Sequence, residues 1–379
     1  MSLSDLFKKA LSASTQGNTS GFGHAMTGFS ASHFGDIANF FSSPNSSGNS
    51  NHSPGTPAFL SADGLVSPIQ SASGGGSKNS TGVTTSVVAP TPTLVGSNAN
   101  GLQIKLIWDT SVGAMGSLMS TFQNAVVTAA KFYTNTYSTH ETINIQVGFG
   151  EVAGQTLPSG ALAASESYGY LEKYASVAAA LKQDANWSTA QKSADATLPA
   201  TDPTKGGNFF VTTAEAKALG QVGASSSVDG YIGLSSSYGF SYNQTAQIGK
   251  YDAVGAIEHE ISEVMGRVGS LGSAFGSNIY TPLDLFRYTS PGVRDLTPGP
   301  GYFSVNGGTT NLGTYNNPKV TSGDFADWGP TIRGDSYGYG STNTVAAVTP
   351  NDIIENAALG YRMTAAGLNA AHTTGVATA

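Results

Sequence analysis

A mixed α+β domain is the fold class this sequence predicts: a twisted mixed sheet with a backing helix and a second helix carrying clustered polar residues, preceded by a low-complexity N-terminal region. Three observations predict it. From residue 101 onward, short segments of period-two hydrophobicity are interspersed with segments of helical spacing. Residues 1–100 sustain neither period and contain only six Asp, Glu, Lys or Arg side chains. In a chain that is 11% charged, Glu258, His259, Glu260, Glu263 and Arg267 crowd one otherwise apolar stretch.

The elements follow in order. Residues 42–100 are filled by Ser, Gly, Asn, Thr and Pro and read as a linker, with apolar islands at Leu3–Leu11 and Phe34–Phe41 ahead of it. These islands are read as helices for self-assembly or partner docking, or as a tail with sticky spots. Protease is expected to cut within 42–100 and leave a fragment from near Gly101, so residues 1–100 and 101–379 are assigned as separate units. Leu102–Trp108 alternates as a half-buried strand, and Ser117–Tyr133 places Leu118, Phe122, Ala125, Val126, Ala129 and Phe132 at helical spacing. Ile143–Val147 and Asp229–Leu234 read as strands and Tyr170–Leu181 as a helix. A further helix runs from Asp252 to a stop at Gly266 or Gly269, and a final one starts at Thr349-Pro350 and turns Ile353, Ile354, Ala357 and Leu359 to the core.

Composition narrows the function classes. The chain of 379 residues has no cysteine, which excludes disulfides and thiolate metal sites. A net charge of −7 without a basic run argues against nucleic acid and anionic membranes. No transmembrane helix and no Sec signal are visible. Abundant Gly, Ser, Thr and Asn suit an extracellular or cell-surface location, reached by a route without such a signal.

The segment Ile257-Glu258-His259-Glu260-Ile261-Ser262-Glu263 carries the chemistry. Helical spacing puts His259 and Glu263 one turn apart on one face, the geometry of two metal ligands. It differs from H-E-x-x-H in having Glu as the second ligand, and carboxylate oxygens bind Zn²⁺ at about 2.0–2.2 Å. An ordinary i, i+4 polar pair is the other reading of the same spacing.

Together with Asp284-Leu285-Phe286-Arg287-Tyr288, Tyr302–Gly308, Ile143–Gly150, Asp229–Gly233 and Gly323–Trp328, the run Glu258–Arg267 resembles a family of uncharacterised bacterial secreted metalloprotease-like proteins, itself distantly metzincin- and zincin-like. The resemblance covers residues 100–365 and implies a zincin-like sheet with a backing helix and an active-site helix, and a hydrolase activity. Metzincins take their third ligand six residues after the second; that position is Gly269, where this chain departs from the pattern.

Of six histidines, only His140, His259 and His372 lie outside the N-terminal region. A carboxylate is therefore the preferred third ligand. Asp284, the first acidic residue after Glu263, is that candidate, with a helix cap or an ion pair to Arg287 or Arg294 as its alternative role. Glu260 is the candidate general base. Tyr288 is the candidate oxyanion donor, or a core tyrosine. Asp324, Asp327 and Asp335, in Gly-containing loops, make Ca²⁺ a second candidate ion beside Zn²⁺. The leading expectation is a zinc-dependent peptidase acting on a peptide or protein substrate. The rival is a secreted structural, adhesive or assembly protein on a degenerate zincin fold.

Overall fold

The computed structural model describes residues 58–61, 64–66, 87–157, 160–182 and 188–371. The two apolar islands, His24, His33, His52 and His372 fall outside these residues.

The main sheet is built from β1 (Ala58–Ser61), β2 (Gly64–Val66), β3 (Thr93–Gly96), β4 (Gln103–Trp108), β5 (Thr142–Phe149), β6 (Ala163–Lys173), β7 (Asn208–Thr212), β8 (Gly230–Leu234) and β9 (Ile279–Tyr280). Alternation in β4 does what it predicts: Ile104, Leu106 and Trp108 are buried while Gln103, Lys105 and Ile107 are only half-buried. β4, β5 and β8 run parallel, and β3 returns antiparallel against β4.

The long strand β6 forms the rim. It pairs antiparallel with β8 over Ala163–Ser167 and with β7 over Gly169–Lys173. Ser167 also pairs with Leu60 and Gly169 with Ala58 of β1. A residue's two ladder partners lie on opposite edges of its strand. Hence β7 and β8 lie in line along the inner edge of β6, and β1 lies on its outer edge.

Helix α1 (Met119–Thr136) backs the sheet with Phe122, Ala125, Val126, Ala129, Ala130 and Tyr133 buried. Leu118, expected on that face, stands 50% exposed in the turn before the helix. Helix α2 is Tyr174–Leu181, α3 Thr189–Ala196, α4 Thr213–Ala218, α5 Ala253–Val264 and α6 Pro350–Ala358. A small sheet follows α5: β10 (Arg287–Ser290), β11 (Val293–Arg294), β12 (Tyr302–Phe303) and β13 (Gly313–Thr314).

Two expectations are corrected here. Residues 170–173, read as the start of a helix, are strand, because Tyr170 and Leu171 pair with Val211 and Phe210, and a side chain at Gly169 would collide with Phe210. Sheet pairing overrides local helical spacing there, and only α2 is helical. The boundary at residue 100 also moves: Thr93–Gly96 pairs with β4 and Ala58–Leu60 with β6, so the region read as linker contributes strands to the sheet. The first protected position in limited proteolysis is therefore expected before Thr93, and not near Gly101.

Helix α5 begins at Asp252, whose carboxylate accepts from Val254 N (3.1 Å). It ends at Met265, followed by Gly266 at φ +110°, a backbone that excludes most side chains and leaves no space beside Glu215. The helix lies on β6 and β8 and against α1, to which it is tied by the Tyr133 hydroxyl donating to Glu258 O (2.6 Å). Beneath it runs a buried polar layer. Ser336 donates to Glu258 (2.7 Å), Tyr315 to Glu355 (2.6 Å), and Trp328 Nε1 to Asp352 (2.6 Å) at the start of α6.

Burial raises Glu258 to about 8 and Glu355 to about 8. Between about pH 4.5 and 8 the folded chain keeps protons that the unfolded chain releases, so stability falls as pH rises through that window. Thermal unfolding of chelator-treated protein should accordingly show a melting temperature that declines from pH 5 to pH 8. Glu355→Gln should flatten that decline; an unchanged slope would remove Glu355 from the account.

Candidate metal centre

Helix α5 presents His259 and Glu263 one turn apart, as the spacing predicts, with His259 Nε2 3.2 Å from Glu263 Oε1. The third group is Asp327: its Oδ1 lies 3.2 Å from the same nitrogen. One donor atom from each of these three residues lies within 4.8 Å of the other two. Donors placed about 2.0–2.2 Å from a tetrahedral zinc are roughly 3.3–3.5 Å apart, so the observed spacings suit a small cation.

The protons decide what the arrangement wants. His259 Nδ1 lies 2.9 Å from Ser336 O, and a carbonyl only accepts, so Nδ1 carries hydrogen. Nε2 then faces two carboxylate oxygens. A bare lone pair there would repel both, so a positive charge, proton or metal, belongs at that point. An N–H donated from the far side of the ring to a carbonyl is also how metal-bound histidines are usually oriented. Asp327 Oδ1 is buried and lacks a hydrogen bond of acceptable angle despite its 3.2 Å approach to the ring. Its partner Oδ2 is taken by the Asp324 N–H (2.8 Å).

The electrostatics agree. Burial and Arg267 oppose a second proton on His259, but Asp327 and Glu263 outweigh them and raise its pKa well above the ordinary range. Burial alone would raise Glu263; the His259 hydrogen bond and charge, with Arg267, instead hold it at about 2. Glu260 goes the other way: burial, then the Glu263 charge, push it far above the carboxylate range.

Two further residues position the set. Ser165 of β6 donates to Glu263 Oε2 (2.7 Å), fixing which oxygen faces His259. Arg267 is fully buried and donates to Ser262 Oγ (2.6 Å) and Ala326 O (2.9 Å). Its Nη2 also donates a long hydrogen bond to Glu263 Oε1 (3.4 Å), and its Nη1 lies 3.6 Å from Asp327 Oδ1, so it leans on both carboxylates.

The remaining candidates lie elsewhere. Asp284, expected as third ligand, accepts backbone N–H groups from Ser270 (3.2 Å), Leu271 (2.9 Å) and Thr281 (2.9 Å). The chain after α5 folds back on itself, and Asp284 closes that turn without joining the His259 group. Neither alternative ion pair forms: Arg287 pairs with Asp295 (3.3 Å), and Arg294 donates to Thr197 O (2.7 Å). Tyr288 is on β10, not one helical turn after Asp284; its hydroxyl donates to Thr197 Oγ1 (3.2 Å) and Arg294 covers its ring. It belongs to the packing of the small sheet. His140 Nδ1 lies 3.1 Å from Asn98 O, apart from the centre. Of the three aspartates read as a calcium set, Asp327 joins His259, while Asp335 accepts from Tyr337 N (2.8 Å).

The sequence signals for Asp327 are its place in the Gly323–Trp328 block and in a Gly-containing loop that suits oxygen ligands; neither pairs it with His259. No family model, curated protein or solved structure matches this chain.

Substitution separates the two aspartates. Asp284→Ala leaves three backbone N–H groups without their acceptor and should cost about 3 kcal/mol or more of stability, while metal retention is unchanged. Asp327→Ala should abolish metal retention, read by elemental analysis of dialysed protein. The opposite pattern would restore Asp284 as the ligand.

Proposed function

We propose that the protein is a zinc-dependent peptidase with His259, Glu263 and Asp327 as its ligand set. The observation that carries the reading is the direction of His259: Nδ1 committed to Ser336 O, and Nε2 facing two carboxylate oxygens. A zinc ion bound there would polarise a carbonyl and acidify a water. Zn²⁺ suits the nitrogen and the short spacings, whereas Ca²⁺ prefers six to eight oxygen ligands.

Glu260 is the general base in this reading. It follows His259 on α5, and its carboxyl contacts Glu263. A base must be ionised, yet burial and Glu263 keep a proton on Glu260 when no metal charge is present. A divalent charge beside it is therefore a condition of the role, and the three ligands are where that charge would sit. Once ionised, Glu260 would take a proton from water as the water oxygen bonds to the scissile carbonyl carbon, and would deliver that proton to the amine nitrogen as the C–N bond breaks. With two anionic ligands the ion is a weaker Lewis acid than in an all-histidine set, so modest turnover is expected. The substrate class is peptide or protein, and the place of action is outside the cell or at its surface.

One observation favours a second reading, a structural protein on a degenerate site: Arg267 already lies near both carboxylates, and a protonated His259 completes an ion cluster without metal.

Glu260→Gln decides between them. Zinc content should stay at the wild-type level while hydrolysis of an unfolded protein substrate falls about 10²–10⁴-fold. His259→Ala should lose both. Wild-type protein that retains no zinc after dialysis against it, and cleaves nothing, would leave the ion cluster as the reading.

A further inference from the structure

We propose that Lys217 and Asp229 condense into an isopeptide bond that ties α4 to the start of β8, with Glu141 as the proton carrier. The two side chains are each 1% exposed, and Lys217 Nζ lies 2.6 Å from Asp229 Oδ2. An ammonium and a carboxylate taken out of water are costly to keep. A proton passed from one to the other cancels both charges and leaves an amine against a carboxylic acid, the two reactants of amide formation. Burial raises Asp229 in that direction, against the Lys217 charge and the Asn144 hydrogen bonds. The amine is also held in place, since Nζ donates to Thr142 O at 3.1 Å. Fixed contact of this kind makes the condensation intramolecular, with effective concentrations of about 10⁵–10⁸ M in well-oriented cases.

The two oxygens of Asp229 are unlike. Oδ2 accepts from Asn144 N (2.8 Å) and, at greater length, from Asn144 Nδ2 (3.4 Å), while Oδ1 is buried without a hydrogen bond. Oδ2 is therefore where the negative charge of a tetrahedral intermediate is received, and Oδ1 is the oxygen free to leave. Glu141 precedes Thr142, the residue that holds the amine, and its Oε1 is likewise buried without a hydrogen bond. Burial lifts Glu141 to about 7 against the charges of Lys217 and Arg362. A carboxyl that titrates near neutrality can both give and take a proton. The step balances as follows: Nζ bonds to Asp229 Cγ, Glu141 gives its proton to Oδ1 and takes one from the nitrogen, and the Cγ–Oδ1 bond breaks with Oδ1 leaving as water. The product keeps an N–H for Thr142 O and an oxygen for Asn144 N, while the two buried charges and the unpartnered Oδ1 are gone. The link does not depend on the peptidase reading.

The test is a tryptic peptide map of the purified full chain, denatured before digestion and read by mass spectrometry. Trypsin cuts after Lys and Arg, and an amide on Lys217 blocks the cut there. Residues 206–250 should appear as one peptide lighter by one water, with fragment ions that place the link between Lys217 and Asp229. Separate peptides 206–217 and 218–250 at full mass overturn the inference and leave an ordinary buried ion pair. Water lost from 218–250 alone marks a succinimide at Asp229-Gly230 and overturns it as well. A link from Lys217 to Asn144, marked by loss of ammonia, overturns the choice of Asp229. Lys217→Arg keeps the positive charge and should give both peptides at full mass. Glu141→Gln should slow linking about 10²–10⁴-fold, so that unlinked peptides predominate where the wild type is linked. Complete linking in a Glu141→Gln protein removes Glu141 from the step. The wild-type map decides the bond itself whether or not the variants fold.

Discussion

The buried guanidinium of Arg267 is the constraint on which the rest of the centre depends. A charge with no solvent must find partners or be expelled, and Arg267 finds them on two segments far apart in sequence. Its Nε bonds Ser262 within the helix, its Nη1 bonds Ala326 O in the loop, and its Cζ lies 4.5 Å from the centroid of the Tyr337 ring. These contacts pin the 322–340 loop against the end of α5. Asp327, next to Ala326, is thereby delivered to His259. The same loop supplies Ser336 O, which fixes the ring. One cation thus organises both Asp327 and the carbonyl that orients His259.

The sheet supplies the other wall. Helix α5 could present His259 and Glu263 anywhere along its length, but its packing on β6 and β8 brings Ser165 to Glu263 Oε2. With that oxygen occupied, Oε1 is the one left to face the imidazole. The Tyr133 hydroxyl, donating to Glu258 O from the backing helix, holds α5 from its opposite side. Orientation of the three donors is therefore distributed over the sheet, the backing helix and the late loop, which is how a site built of only three side chains gains a fixed geometry.

Chemistry and stability pull against one another here. Glu258, Glu260 and Glu355 are carboxyls that burial holds in the protonated form, and Glu215 is buried with neither side-chain oxygen bonded. A fold selected for stability alone has little use for so many sequestered acids.

The sequence by itself determined what depends on neighbours within a turn or a strand: His259 and Glu263 on one helical face, the Asp252 cap, the Gly266 stop, the alternation of β4, and the helix starting at Pro350. Periodicity of 3.6 or 2 residues is a local property, and in these elements the surrounding sheet and helices agree with it. Tertiary structure alone decided the third member of the cluster, because Asp327 reaches His259 through Arg267, Ala326 and the loop between them, and no spacing rule spans that distance. It also assigned Asp284 to three backbone N–H groups, turned residues 170–173 into strand by pairing them with Phe210 and Val211, and drew Thr93–Gly96 out of a stretch that reads as linker. In each case the deciding partner is remote in sequence or is a backbone group with no side-chain signature, so the information exists only once the chain has closed on itself.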